Sequence, residues 1–202
     1  AAAKPVSLDV ISGFDRYNLP RFTESITGKQ QEPLNIILIA RDEASLVSAF
    51  KAAGWQPADP ATFATVARTV RALLGNEGYP TAPVTPSFWD GRINDFGFEK
   101  PTPLHTVRQR HQARLWKTDL VTPGNSRVFV GTISLDWGMK WGLVHKMKPD
   151  MDSEREALLI DLLLGGKVKA YYKKRFVKPL SGRNFAGDIF FTDGNICEVI
   201  ID

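Results

Sequence analysis

The order of apolar and polar residues predicts a chain that alternates between strands and helices. Residues 34–40 form an uninterrupted apolar run of strand length, which is typical of a central strand covered on both faces. Asp42 then provides a helix N-cap, and apolar residues recur at helical spacing until Gly54. Pro60 begins a second amphipathic pattern that ends at Gly75, so the first half is predicted to hold one strand and two helices.

The second half of the chain is predicted to be mostly strand. Residues 110–118 and 127–137 alternate in polarity, and the turn formers between them indicate a hairpin. Two more strand patterns follow at 167–177 and 187–201. The Asp193-Gly194 pair within the last pattern predicts a type I′ turn.

One further helix is predicted between these strands. Asp152 or Ser153 is expected to cap it, and Ser153 with Glu156 matches a capping box. Residues 157–166 are apolar nearly all round, so the helix is expected to be deeply buried.

This order of elements predicts a single α+β domain, with about three helices packed on a mainly antiparallel sheet. The chain has 202 residues and a hydrophobic fraction of 43%, which suits one domain with a sizeable core. Residues 1–33 lack a clear period and are rich in turn formers. They are predicted to be an N-terminal arm or linker, and residues 34–202 the domain.

Charge and cysteine content exclude some classes of function. The net charge is +4, and the tightest basic cluster, at residues 167–178, reads as a strand with a solvated face. Nucleic acid is therefore not the expected partner, because its binders concentrate charge on one face. Cys197 is the single cysteine and lies among apolar residues, which predicts a buried strand thiol and excludes an internal disulfide. No apolar run is long enough to cross a bilayer, so the chain itself is expected to be soluble.

Candidate chemistry concentrates between residues 108 and 156, where charged residues interrupt strand patterns. The planar guanidinium group of arginine carries a fork of N–H donors that matches phosphate and carboxylate oxygens. The arginines in this segment therefore predict an anion site. Its candidate ligand-binding residues are Arg92, Arg110, Arg114, Trp116 and Arg155, with His111 beside them. Arg110, Arg114 and Trp116 share one strand parity, whereas His111 has the other. The competing interpretation is a structural ion-pair network of these arginines with Asp136, Asp150, Asp152 and Glu154.

Catalytic and metal-binding roles have weaker support in the sequence. His111, His145 and Asp136 are the candidate catalytic residues, since histidine titrates near neutral pH. Asp136, His145 and Asp150 are weak metal-ligand candidates, because HExxH spacing and a complete calcium loop are both absent from the sequence. The sequence also lacks a GxSxG elbow and a glycine-rich phosphate loop that opens a helix, so no cofactor is expected. Whether the chain is an enzyme stays open.

A series of motifs in fixed order connects the chain to a known family. The motifs are EPLNIILIA, AAGWQPADP, YPTAPVTPSFWDGRINDFGF, RQRHQARLW, a strand ending in LDW, PDMDSERE and FTDG. Over residues 34–201 this series resembles the LssY C-terminal domain family. The positions that match the family's motif are Gly91, Arg92, Arg110, His111, Arg114, Trp116, Asp136, His145, Asp150, Asp152, Glu154, Arg155, Asp193 and Gly194. The family often carries further histidines where this chain has Gln112 and Lys146, and both departures weaken a paired-histidine metal site.

The resemblance implies a soluble domain carried by bacterial membrane proteins, often beside DedA-like or phosphatidic-acid-phosphatase-like membrane segments, and no established reaction. The function expected is therefore that of an envelope-associated module that binds an anionic small molecule, a lipid head group or a membrane-protein partner. The alternative is a metal-assisted phosphoester hydrolase that uses His111 or His145 with Asp136 or Asp150.

Overall fold

A mainly antiparallel sheet forms the centre of the computed structural model. The model describes residues 3–5, 9–25, 27–58, 87–102, 109–140, 144–184 and 187–202, and at 109, 136–140 and 144–147 it describes the backbone alone. The helices are α1 (Val10–Arg16), α2 (Glu43–Ala52) and α3 (Met151–Leu164). The strands are β1 (Lys4–Pro5), β2 (Phe22–Glu24), β3 (Gln30–Pro33), β4 (Ile36–Ala40), β5 (Gln56–Pro57), β6 (Phe88–Trp89), β7 (Arg92–Ile93), β8 (Phe96–Pro101), β9 (Gln109–Val121), β10 (Arg127–Lys140), β11 (Val144–Met147), β12 (Val168–Arg175), β13 (Leu180–Arg183), β14 (Ile189–Thr192) and β15 (Asn195–Ile201).

In the described part of the chain, nine strands make the main sheet. Its path is β12-β15-β4-β10-β9-β8-β5, with β1 added to β9 and β11 added to β10. The β4–β15 and β1–β9 pairs are parallel and the other pairs of this sheet are antiparallel. Strands β2, β3, β6 and β7 form a smaller sheet, and β13 pairs with β14. The prediction of an α+β domain with a mainly antiparallel sheet is confirmed.

Both faces of the main sheet are covered. All five residues of β4 are buried, because α2 and α3 pack on one face and α1 on the other. Phe50 and Leu158 belong to the cluster on the first face, and Phe14 and Trp89 belong to the cluster on the second. This arrangement confirms the central strand that the apolar run at 34–40 predicts. Within the described residues, no helix combines the length and hydrophobicity that crossing a bilayer requires.

Helix α2 begins and ends where the sequence predicts. The Asp42 carboxylate accepts the backbone N–H of Ser45 at 2.7 Å, and this hydrogen bond caps the helix. Ala52 is the last helical residue, and Gly54 follows with φ of +81°, a conformation that glycine adopts without strain. The second helix predicted, from Pro60 to Gly75, lies outside the described residues.

The N-terminal segment has more structure than its sequence pattern predicts. Helix α1 forms within it, capped by Asp9, and places Val10 and Phe14 in the core. The helix is only seven residues long and contains Gly13, so its apolar period was too short to recognise. β1 also pairs with β9, so residues before 34 contribute both a strand and core side chains.

Two predictions about α3 are wrong. Its N-cap is Asp150, which accepts the backbone N–H groups of Asp152 and Ser153 at 3.0 and 3.1 Å, so neither of those residues caps the helix. The helix is also not buried all round. Its outer side faces solvent, where the exposed apolar residues are Ile160, Leu163 and Leu164.

The predicted turn at Asp193-Gly194 is not part of a hairpin. β14 pairs with β13, whereas β15 pairs with β12 and β4, so the two residues connect strands of different sheets. Gly194 alone has positive φ, at +77°, which a type I′ turn would require of both residues. The expected loop between β9 and β10, in contrast, is confirmed as a hairpin.

We expect Gly194→Ala to destabilise the protein by about 1–3 kcal/mol, from backbone strain and a steric clash. A Cβ at this position would lie 2.3 Å from the carbonyl oxygen of Val177. The matched control is Gly28→Ala, because Gly28 has the same φ of +77° but nothing within 4 Å of its added Cβ. Urea denaturation followed by circular dichroism measures both variants. Equal losses would show that the close approach to Val177 has no energetic effect.

Cys197 is confirmed as a buried strand thiol. It is 1% exposed on β15, within the core cluster beneath α2 and α3. Burial, with the nearby charge of Glu156, raises the pKa of this thiol to about 11. The thiolate is therefore scarce at neutral pH, and Cys197 is a packing residue.

Candidate functional site

A group of polar side chains interrupts the apolar face of the sheet that lies opposite α2 and α3. It spans three neighbouring strands, and we call it the polar patch. Its members are Glu99 on β8, Arg110, Gln112 and Arg114 on β9, and Thr132 and Ser134 on β10. In register, Glu99 lies opposite Gln112 and Ser134 lies on the other side of Gln112. Further along the same face, Trp116 and Leu120 of β9 are apolar core.

The polar patch is buried. Glu99 is 1% exposed, Arg110 3%, and Gln112, Thr132 and Ser134 no more than 5%. Charged and amide groups are seldom buried to this extent, because their transfer from water costs several kcal/mol unless they are paired. The rest of this face is mostly apolar, and its other buried polar residues include Thr118 and Glu198, the latter paired with Lys174.

An ion pair lies at one end of the patch. Arg110 Nη1 is 2.5 Å from Glu99 Oε2, and both side chains are almost fully buried. A buried pair of this kind gains strong Coulomb attraction but loses the hydration of both ions. The backbone of Asp136 occupies the register position opposite Arg110, and its side chain lies outside the described residues.

Arg114 is held in a fixed orientation at the middle of the patch. Its Nη1 donates to Ser134 Oγ at 3.1 Å, and its Nη2 donates to Gln112 Oε1 at 2.7 Å. These two bonds fix the orientation of the guanidinium. Gly97 lies in register with Arg114 on β8, so that strand places no side chain against it. Arg114 is also partly exposed, which leaves a route for a ligand from solvent.

Trp116 and Arg92 lie beyond Arg114 on the same side of the sheet. Trp116 is fully buried, and its Nε1 donates to the carbonyl oxygen of Arg92 at 3.0 Å. The Arg92 guanidinium instead donates to the carbonyl oxygen of Lys117 at 2.8 Å and lies 3.7 Å from Asp95. The structure therefore places Arg110 and Arg114 on one face of β9, four residues apart, whereas the head group of Arg92 binds Lys117 and Asp95.

A cavity of about 270 Å³ adjoins Arg92. Its lining residues are Lys4, Leu19, Trp89, Asp90, Arg92, Thr118, Asp119 and Leu120. Two cations and two carboxylates balance each other there, so its formal charge gives no preference for an anion.

His111 contacts the opposite side of the sheet, as its strand parity predicts. Its Nδ1 lies 2.6 Å from Oε2 of Glu154, a helix α3 residue that is nearly buried. Lys148 Nζ is 3.8 Å from the other oxygen of Glu154, and the Trp55 ring lies beside the imidazole. A buried carboxylate that fixes one ring nitrogen is the arrangement that orients an acid–base histidine. The sheet separates this pair from the polar patch.

Arg155 is part of a structural ion-pair network at the start of α3. Its guanidinium, 1% exposed, lies 2.8–3.0 Å from carboxylate oxygens of Asp152, Glu156 and Asp193. It also donates to the carbonyl oxygen of Asn195. Burial opposes the charge, but the hydrogen bonds to Asp193 and Glu156 outweigh it and raise the pKa of Arg155. Arg155 thus joins α3 to the β14–β15 connection and is not part of the polar patch.

The structure does not test the predicted metal site, because only Asp150 of its three candidate ligands has a described side chain. Asp150 is the N-cap of α3, and its carboxylate is used by backbone N–H groups. Asp136 and His145 lie on β10 and β11, where the structure describes the backbone alone. Among the side chains that are described, no three His, Cys, Asp or Glu residues form a group suited to a metal ion. The metal-assisted reaction therefore stays a prediction.

Sequence reasoning missed four members of the patch: Glu99, Gln112, Thr132 and Ser134. Gln112 shares the strand parity of the arginines, so alternation along β9 could have found it. Glu99 and the β10 residues become neighbours only through the register of β8, β9 and β10. That register depends on pairing across the sheet, which the pattern of a single strand does not contain.

Comparison with known proteins gives one match. A family model described as the LssY C-terminus matches residues 16–196, a range that includes β8, β9, β10 and α3. No curated protein and no solved structure matches the chain. The polar patch, the His111–Glu154 pair and the Arg155 network all lie within the matched range.

Proposed function

We propose that this chain, which belongs to the LssY C-terminal family, binds an anionic group through the polar patch. The observation that supports this proposal is Arg114, a partly exposed guanidinium oriented by Gln112 and Ser134 within an otherwise buried polar cluster. Orientation before binding reduces the entropy lost when the ligand is held. A phosphate or carboxylate would accept two parallel hydrogen bonds from the guanidinium fork.

The composition of the patch favours a phosphate group. Thr132 and Ser134 lie on β10 beside this part of β9, and hydroxyl groups are donors that suit phosphate oxygens. Little water surrounds these groups, and low local dielectric strengthens each charge-assisted hydrogen bond. Glu99 offsets the charge of Arg110, and the group that we expect to contact the anion is the partly exposed guanidinium of Arg114.

We further propose that the domain acts at the bacterial envelope, beside membrane proteins. A phosphorylated lipid head group or a free phosphorylated metabolite would present the same chemistry to Arg114. Only the lipid carries acyl chains. Phosphate compounds with and without acyl chains therefore test the two sources separately.

Binding is expected to depend on Arg114. Isothermal titration with inorganic phosphate, glycerol 3-phosphate and dihexanoyl phosphatidic acid should detect a complex in the wild-type protein. Arg114→Gln should weaken it by about tenfold or more, which corresponds to the loss of one charge-assisted contact of about 1.4 kcal/mol. Arg114→Lys should recover part of the affinity, since lysine keeps the charge but not the fork. The control is Arg41→Gln, because the Arg41 side chain is 81% exposed and does not belong to the polar patch.

The outcomes separate the ligand sources and the proposal from its alternatives. Affinity for all three compounds indicates a phosphate site, and affinity for the lipid alone indicates a head-group site. If none binds, or if Arg114→Gln binds as tightly as wild type, the patch is structural and the proposal is wrong.

The hydrolase alternative is supported by a separate observation, the His111–Glu154 pair. It requires turnover, so phosphate release from a phosphomonoester is the assay. Turnover lost in His111→Asn and kept in Arg114→Gln would place the reaction on the α3 side of the sheet. The absence of turnover with metal ions added would exclude this alternative for the substrates assayed.

A further inference from the structure

A buried carboxylate outside the polar patch lies on the side of the sheet that α1 covers. Glu198 of β15 is 1% exposed. It alternates with Ile196 and Ile200, which both pack in the apolar cluster on this side, so its side chain points in the same direction. Val10 and Phe14 of α1 belong to the same cluster. Glu198 is therefore a carboxyl group within the apolar layer between the sheet and α1.

One ammonium group connects this carboxylate to the start of α1. Lys174 Nζ, on β12, lies 3.1 Å from Glu198 Oε2 and 3.5 Å from Asp9 Oδ1. Asp9 is the N-cap of α1, where its carboxylate accepts the backbone N–H of Ile11 at 3.2 Å. Two carboxylates thus share one lysine, and this bridge joins the end of the helix to the sheet.

The surroundings of Glu198 oppose its ionisation. In register, β12 places Tyr172 and β4 places Ile37 on either side of it. The charged groups that act on it are Lys174 from β12 and Asp9 from the start of α1. Burial raises the pKa of Glu198, the hydrogen bond and charge of Lys174 lower it, and the charge of Asp9 raises it. The net result is a raised pKa, because one shared lysine does not compensate for burial.

Helix α1 depends on its contacts with the sheet. It has only seven residues and contains Gly13, and helices this short are unstable by themselves. If α1 leaves the sheet, water reaches Glu198 and the charge of Asp9 moves away, so the pKa of Glu198 returns toward its ordinary value of 4.5. The docked state therefore has the higher pKa. Its added stability is fully present below the ordinary value and is lost as pH rises through the raised value.

We propose that α1 docks on the sheet in a pH-dependent manner, tightly when Glu198 is protonated and loosely when it is ionised. Loosening of α1 uncovers apolar side chains of the cluster beneath it, among them Ile37, Ile196 and Phe176. Solution pH then controls access to this face of the domain. The inference goes beyond anion binding and does not rest on it, because β15 is separated from β9 and Arg114 by β4 and β10.

Hydrogen exchange of the full chain, followed by NMR, tests this proposal. The probe is Tyr17 at the end of α1, whose N–H donates to the carbonyl oxygen of Gly13 at 3.0 Å. Its protection factor, which corrects for the intrinsic effect of pH on exchange, should fall at least about threefold between about pH 5 and pH 7.5. The upper limit for one titrating group is about tenfold per pH unit. An equal fall in the amides of α2 would overturn the proposal, because the whole domain would then be responding.

Three variants assign the effect to Glu198. Glu198→Gln keeps the shape of the protonated side chain, so protection of α1 should no longer change with pH. Asp9→Asn keeps a good N-cap and removes one negative charge, so the fall should be smaller than in the wild type. The matched control is Glu43→Gln on α2, whose side chain is 48% exposed and which should keep the wild-type fall.

Three results would overturn the proposal. They are constant protection of α1 in the wild type, a wild-type fall in Glu198→Gln, and an undiminished fall in Asp9→Asn. The last variant is informative even if Glu198→Gln does not fold, because the Asp9 side chain is 57% exposed and its replacement leaves the core intact. Phosphate binding is measured separately, so either proposal can fail without the other.

Discussion

Glu99→Leu is expected to lower the free energy of unfolding by about 3–5 kcal/mol, because it leaves the Arg110 guanidinium buried without this carboxylate. Both side chains are at most 3% exposed, and they lie 2.5 Å apart. The loss of the ion-pair attraction and the burial of an Arg110 charge without this carboxylate both lower the free energy of unfolding. Urea denaturation at pH 7, followed by circular dichroism and tryptophan fluorescence, measures the change.

The double variant Glu99→Leu/Arg110→Met separates stability from function. Replacing both members of a buried ion pair with apolar residues is often neutral or stabilising, so the double variant should recover most of the loss. If Arg110 also helps to hold the anion, the double variant folds well but binds phosphate more weakly. A double variant as unstable as Glu99→Leu alone would show that other contacts of the patch depend on this pair.

Arg155→Met is expected to cost about 3 kcal/mol, since it removes one buried guanidinium that pairs with three carboxylates. The loss should appear in urea denaturation, with the exposed Arg41→Met as the control for arginine removal in general. A change in the free energy of unfolding below about 0.5 kcal/mol, the range of ordinary surface substitutions, would contradict a stabilising role for the Arg155 ion-pair network.

The same variant should change the titration of Asp193. Burial opposes ionisation of this carboxyl, yet hydrogen bonds from Arg155 and Asn195 lower its pKa to about 2. A lowered pKa in the folded state means that Asp193 contributes stability above its unfolded pKa near 4, and that this contribution is lost as pH falls toward 2. In Arg155→Met, carboxylate NMR should show the pKa of Asp193 returning toward its ordinary value. A pKa that stays near 2 would assign the shift to Asn195 instead.

The sequence predicted those elements whose signals are local. The apolar run at 34–40 became β4, Asp42 capped α2, and the alternation around Arg114 placed Arg110 and His111 on opposite faces. Each of these predictions needs only a short period or a cap, and the tertiary structure agreed with the local preference.

Features that depend on contacts across the chain could not be predicted in this way. Glu154 contacts His111 from a helix, although the two residues are 43 positions apart in sequence. Glu99 pairs with Arg110 because of the register between β8 and β9. Asp152 suits a helix cap as well as Asp150 does, but it accepts from Thr192 and the backbone of Asp193 instead. The solvent-exposed side of α3 could not be predicted either, because a helix that is apolar nearly all round does not indicate which side faces solvent.

The parallel pairing of β4 with β15 has a consequence for protein synthesis. Ile36 is in register with Cys197, so two adjacent inner strands of the main sheet come from near opposite ends of the described chain. During synthesis β4 therefore emerges long before β15, one of its two neighbours in the main sheet, exists. Contacts of such long sequence separation also slow folding. The main sheet is therefore complete only after β15 has been synthesised, and we expect the domain to reach its folded state only then.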